Sequence, residues 1–212
     1  MEADFKDFLS FTAGAVGPGK SCFCVLSEDL SEEADVAHSV FMVWEASKWK
    51  FVEEVVPWIC ASIAVDRSLK VAIAVGMWGE VVVINGLDCH VSRDKGIGNG
   101  PVERGPLRKI KFVDGVPVVC GADRQVYRKE DGEWVSVGPL VKSSVDDFSS
   151  FESVDGFSSS RLQAVGTQGE IWVYEDSKWS AVDSPTNAIL ADICCAPDGC
   201  AYICGRQGSV IV

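Results

Sequence analysis

Histidine is nearly missing from this chain: His38 and His90 are the only two among 212 residues. They are the only side chains whose ordinary pKa suits a base at neutral pH. Neither accompanies a Gly-x-Ser-x-Gly or a His-Glu-x-x-His pattern, so no catalytic residue is assigned. Long apolar runs are missing too. No stretch approaches the ~18 residues of a membrane helix, and no membrane partner is expected. The opening MEADFKDFLSF has neither the basic n-region nor the apolar h-region of a secretory signal, which makes the cytoplasm the expected location. Sustained helical periodicity is absent as well. The glycine-rich stretch 96–105 lacks the Gly-Lys-Ser/Thr of a phosphate loop and reads as a flexible connector. Positive charge is scarce: 19 basic residues face 31 acidic ones, a net charge of −12. Such a chain repels nucleic-acid phosphates and attracts a basic partner.

Nine cysteines cannot all pair within one chain. Cys120 and Cys204 stand where equivalent segments carry Val75 and Val165, so reduced core thiols are expected. The cluster Cys194, Cys195, Cys200 and Cys204 lacks the paired knuckles of a zinc site. No metal and no cofactor is therefore assigned.

What the chain does contain is a repeat. GMWGEVVVINGLDC, GADRQVYRKEDGEW and GTQGEIWVYEDSKW begin at Gly76, Gly121 and Gly166, each 45 residues after the last. GRQGSVIV begins a further copy at Gly205, and VAHSVFMVWEASKW, ending at Trp49, is a degenerate one. Each unit divides into short β-branched or alternating segments bounded by Gly, Asp, Asn or Ser, the mark of short strands and tight turns. Four strands in about 45 residues is the spacing of a propeller blade. Asp-Gly at 114–115, 155–156 and 198–199 is expected to turn between the first and second strands. The repeat glycines should lie between the second and third. Trp49, Trp134 and Trp179 should open the fourth as structural residues.

The expected fold is thus all-β, a single β-propeller domain over residues 1–212 with five four-stranded blades. The last unit stops before its fourth strand. Residues 1–12, with Phe5, Phe8, Leu9 and Phe11, are expected to supply that strand and close the last blade.

The pattern carried by AVGTQGEIWVYEDSKWSAVDSP and DICCAPDGCAYICGRQGSVIV resembles small bacterial and lectin-type β-propeller repeat proteins. That resemblance implies an architecture rather than an activity. The expected function is non-catalytic protein binding. One form is an inhibitor that caps a basic enzyme, as bacterial immunity proteins do to toxins. A carbohydrate-binding lectin-like propeller is the alternative, and a glycoside hydrolase a more distant one. Acidic loops are the expected contacts, through Glu28, Asp29, Glu32, Glu33 and Asp35 and through Asp146 and Asp147. The free protein is expected to be a monomer.

Overall fold

A computed structural model describes residues 9–17, 22–28, 38–45, 47–52, 55–66, 68, 71–85, 90–141 and 148–212. The chain forms two compact units, Met1–Lys95 and Gly96–Val212.

In the first unit, β1 (Leu9–Val16), β2 (Cys22–Glu28), β3 (Val40–Glu45) and β4 (Lys48–Phe51) form one antiparallel sheet. A second contains β5 (Cys60–Asp66), β6 (Val71–Gly76), β7 (Val81–Asn85) and β8 (Val91–Arg93). The core joins Phe41 and Val43 to Ile63, Ala72, Ala74, Val82 and Ile84.

The second unit opens with a short helix, α1 (Gly100–Arg104). Its first sheet is β9 (Leu107–Val113), β10 (Val116–Gly121), β11 (Val126–Glu130) and β12 (Glu133–Ser136). The next is β13 (Phe151–Ser158), β14 (Arg161–Gly166), β15 (Ile171–Glu175) and β16 (Lys178–Val182). β17 (Leu190–Cys195), β18 (Ala201–Gly205) and β19 (Val210–Ile211) follow, three strands among the described residues. In every sheet the strand order is the sequence order.

Residue choice explains the layering. Second strands such as VAIAVG and VPVVCG are buried at five of six positions, as strands covered on both faces must be. Fourth strands KWKF and EWVS are almost wholly exposed. They carry charge and one or two large aromatics, which suits a sheet edge.

Several expectations need correction. Leu9, Ser10 and Phe11 lie in β1 and pair with Glu28, Ser27 and Leu26 of β2, as part of the first sheet. The small residues of LSFTAGAV disguise a strand whose Ala13 and Ala15 pack on the core. Residues 1–8 lie outside the described residues. The acidic stretch after Glu28 follows β2, the second strand of its sheet. Asp155-Gly156 is not a turn. It lies inside β13, and the chain reverses at Ser159-Ser160. Gly156 is needed there for close approach, since a Cβ would lie 2.7 Å from the Arg161 carbonyl oxygen and 2.9 Å from Val113 Cγ1. Asp114-Gly115 does turn as expected, with φ of 52° and 75°. The Asp198-Gly199 turn is closed by Gly199 N donating to the Ala196 oxygen at 3.1 Å. Part of the expected connector 96–105 is helical, because Pro101 presets the first turn and Gly105 ends it at φ 105°.

Candidate functional site

The repeat glycines end β6, β10, β14 and β18 and set a common turn. The amides of Gly76, Gly121, Gly166 and Gly205 donate to the carbonyls of Glu80, Gln125, Glu170 and Ser209 at 2.8, 3.1, 3.0 and 2.9 Å. The following residue then bonds back to the entry of its own sheet. Met77 reaches Ile59, Ala122 reaches Pro106, Thr167 reaches Ser150 and Arg206 reaches Ile189, at 2.8 to 3.3 Å. Glycine is required here by proximity rather than by dihedral angle. Gly166 is extended at φ −168°, yet its Cβ would overlap the Ser150 carbonyl oxygen. At Gly121 and Gly205 a Cβ would lie 2.6 Å from the Pro106 and Ile189 oxygens.

One turn breaks the pattern. Three residues after the repeat glycine, Gly79, Gly169 and Gly208 take φ of 100°, 75° and 75°. Arg124 stands at that position in the remaining copy, with φ 52°, directly after Asp123 at φ 53°. Two successive side chains are held in a region that normally favours glycine. Cross-links hold them there. Arg104 of α1 donates Nε to Asp123 Oδ2 at 2.8 Å and Nη2 to the Asp123 carbonyl at 2.6 Å. The Asp123 amide donates to the Ser149 carbonyl at 2.8 Å. Arg124 forks onto Glu170, Nε to Oε2 at 2.7 Å and Nη2 to Oε1 at 2.5 Å. Trp172 Nε1 also donates to Glu170, and the guanidinium lies 5.6 Å from the Trp172 ring. Buried Gln125 donates to the Gly105 carbonyl and accepts from the Tyr127 hydroxyl. Turn 122–125 therefore gathers α1, Gly138, Ser149 and the 167–170 turn into one face.

This balance is testable. Arg124→Gly should lose the fork but release the backbone, whereas Arg124→Ala should lose the fork and keep the strain. Urea unfolding should place the alanine variant below the glycine variant by about 1 kcal/mol. Equal stabilities would show that the left-handed backbone costs nothing.

A second polar cluster links the first strands of the three sheets in this unit. Lys111 of β9 lies 3.0 Å from Asp192 of β17 and 3.6 Å from Asp155 of β13, and also donates to the Ile193 carbonyl. Lys109 reaches Asp192 at 3.3 Å. The Ser153 hydroxyl donates to Asp192 at 2.6 Å, and the Cys195 amide donates to Asp155 at 3.1 Å. Burial raises the Asp192 carboxyl, but the Ser153 hydroxyl and the Lys111 and Lys109 ammonium groups outweigh it and hold it at about 2. A depressed folded pKa gives stability that is present above the unfolded carboxylate value and lost as pH falls through the folded one. Asp192 should contribute roughly 1 kcal/mol after screening, lost between about pH 4 and pH 2. Acid titration of Asp192→Asn should lack that loss; an unchanged profile would remove Asp192 from the account.

The acidic residues expected to bind a partner are not placed by the structure. Glu28 ends β2, while Asp29, Glu32, Glu33, Asp35, Asp146 and Asp147 lie outside the described residues. The repeat tryptophans all open fourth strands but are not equivalent. Trp179 is buried and Trp49 is 37% exposed. Trp134 has Lys129 above its ring at 5.6 Å. Burial pushes the Cys60 thiol up to about 12 and raises Cys120 as well, as for inert core thiols. Cys194 and Cys204 are exposed, so the core expectation fails for them. Basic residues between 104 and 111 are paired: Arg104 with Asp123, Lys109 and Lys111 with Asp192, and Arg108 3.7 Å from Glu152. A polar depression of about 340 Å³ lies beside Arg128, Arg161 and Tyr174. Its arginines are engaged by Glu130 and Glu175.

Repeated antiparallel four-stranded meanders with one shared turn are the sheets of a β-propeller. Solved structures agree on that class. The WD40 β-propeller domain of Doa1 matches with a TM-score of 0.68 and 13% identity, over 95% of this chain and 64% of that one. YCF48 bound to D1 peptide matches with a TM-score of 0.62 and 15% identity, over 96% and 62%. No family model matches the sequence. Among curated proteins the chain is similar to "Immune protein Tsi7" of Pseudomonas aeruginosa, with 34% identity over 194 residues. The alignment covers 86% of this chain and 62% of that relative, so the chain spans less than two thirds of its length.

Proposed function

We propose that this chain is an immunity-type protein that binds a toxic protein partner and blocks it without catalysing a reaction. The observation that carries this reading is the 34% identity to an immune protein across 86% of the chain. The geometry is compatible with it. The repeat turn is held by the same main-chain bonds in four copies, so its side chains can vary without loss of the turn. Those side chains differ between copies (Met77-Trp78, Ala122-Asp123, Thr167-Gln168, Arg206-Gln207), which disfavours the equal sugar sites of a lectin. The net charge of −12 favours a basic partner and a fast, salt-sensitive association. Glu28, Asp29, Glu32, Glu33, Asp35, Asp146 and Asp147 are proposed to supply part of that attraction. Five sheets, one per repeat, support a count of five blades. A monomeric, cytoplasmic protein fits the same reading.

Co-expression tests it. The toxic protein encoded beside this chain's gene should arrest growth alone and permit growth when this chain is present. The purified pair should form a stoichiometric complex that weakens as salt rises. Growth arrest unaffected by this chain, with no complex between the two, would overturn the reading.

A further inference from the structure

The face organised by turn 122–125 carries apolar side chains that are exposed among the described residues. Leu140 is fully exposed, Phe148 is 86% exposed and Val102 is 65% exposed. Soluble surfaces tolerate single exposed apolar residues, but three large ones around one turn mark a contact surface. Backbone bonds bring them together. Gly138 donates to the Val126 carbonyl at 3.1 Å, and a Cβ on it would meet the Arg124 oxygen at 2.9 Å, so the chain leading to Leu140 lies on the turn. The Phe148 carbonyl accepts from Thr167 Oγ1 at 3.3 Å, and the next carbonyl, Ser149, accepts from the Asp123 amide. Val102 lies two residues before Arg104, whose fork grips Asp123.

The charges on this face point to the partner's sign. Arg104 and Arg124 are each held by a carboxylate, Asp123 and Glu170. Glu103 of α1 adds negative charge beside them. On the elements that build the turn face, Glu103, Asp123 and Glu170 therefore outnumber Arg104 and Arg124, in a chain of net charge −12.

We infer that the partner docks on this face of the Gly96–Val212 unit, with Leu140 and Phe148 entering an apolar recess on a cationic protein surface. This rests on the immunity reading and names the contact surface within it. The rigid turn is what gives the apolar pair its position. Its two left-handed residues are locked by α1 and by Glu170, so the face is formed before the partner arrives. Preorganisation of this kind reduces the ordering that binding must impose. The apolar pair sets the dissociation rate and the surrounding acids set the association rate.

The probe is the purified toxic protein from the growth assay, inactivated by substitution in its own active site. Its affinity is measured by calorimetry against the full chain. Leu140→Ser with Phe148→Ser should weaken binding at least tenfold while leaving thermal unfolding and the salt dependence unchanged. Tyr202→Ser, an exposed aromatic on the last sheet, should bind like the parent. A photo-crosslinking residue at position 148 should join the two proteins. Unchanged affinity in the double variant, with no adduct from position 148, would overturn this surface and leave the immunity reading standing. Absence of any protection in the growth assay would sink that reading, and the surface with it.

Discussion

Replacing Gly166 with alanine should lower the unfolding free energy by about 3 kcal/mol or more. The added Cβ would fall within the carbonyl oxygen of Ser150, with the Ser150 carbon and Phe151 Cα close behind. All three are main-chain atoms, so no rotamer change can make room. The same approach carries the Thr167 amide bond to Ser150 at 3.0 Å, which would open with it. Gly115→Ala is the control. That glycine has φ 75° and nothing near the position of a Cβ. Only the left-handed penalty applies, about 1 kcal/mol. Urea unfolding of both variants separates the two mechanisms. If Gly166→Ala lies within 1 kcal/mol of the parent, close approach is not why glycine stands there.

Trp179→Ala should have an effect of similar size, about 3–5 kcal/mol. The indole packs against Tyr174 and Phe151 with ring centroids 5.3 and 5.8 Å away. Its Nε1 donates to the Val137 carbonyl at 2.6 Å, which ties β16 to the chain leaving β12. Removing the ring leaves a cavity and an unsatisfied carbonyl together. Trp49→Ala should cost about 1 kcal/mol, because much of that ring already contacts water. Thermal melts will show the difference. Binding by the folded fraction of Trp179→Ala should stay intact, and its loss from a stable variant would assign the ring to a site.

Much of the sheet layout was legible because the repeat is written in residues with strict backbone consequences. Glycines 76, 121, 166 and 205 do end second strands, and Trp49, Trp134 and Trp179 do open fourth strands. Local signals failed where a tertiary contact overrode them. Asp155-Gly156 has turn chemistry, but Asp155 accepts from the Cys195 amide and Gly156 admits the neighbouring backbone, so the pair remains in a strand. LSFTAGAV looks too small for a strand until its alanines meet the core. The polar hub was harder to see. Arg104, Asp123, Arg124 and Glu170 are far apart in sequence and unremarkable in composition. One signal was present: Arg124 occupies a position that is glycine in three other copies. A bulky residue at such a position implies compensating contacts, and the fork onto Glu170 supplies them.

Every strand in every sheet pairs with its sequence neighbour, and four of the five sheets close back on their own entry residue across one repeat turn. The loops that must close to form a sheet are therefore short. Their entropic penalty grows only slowly with length, and long-range pairing, which slows most β proteins, is little needed within a sheet. Each meander can nucleate from its own hairpins, so a segment emerging during synthesis can reach native pairing before the next repeat has been made.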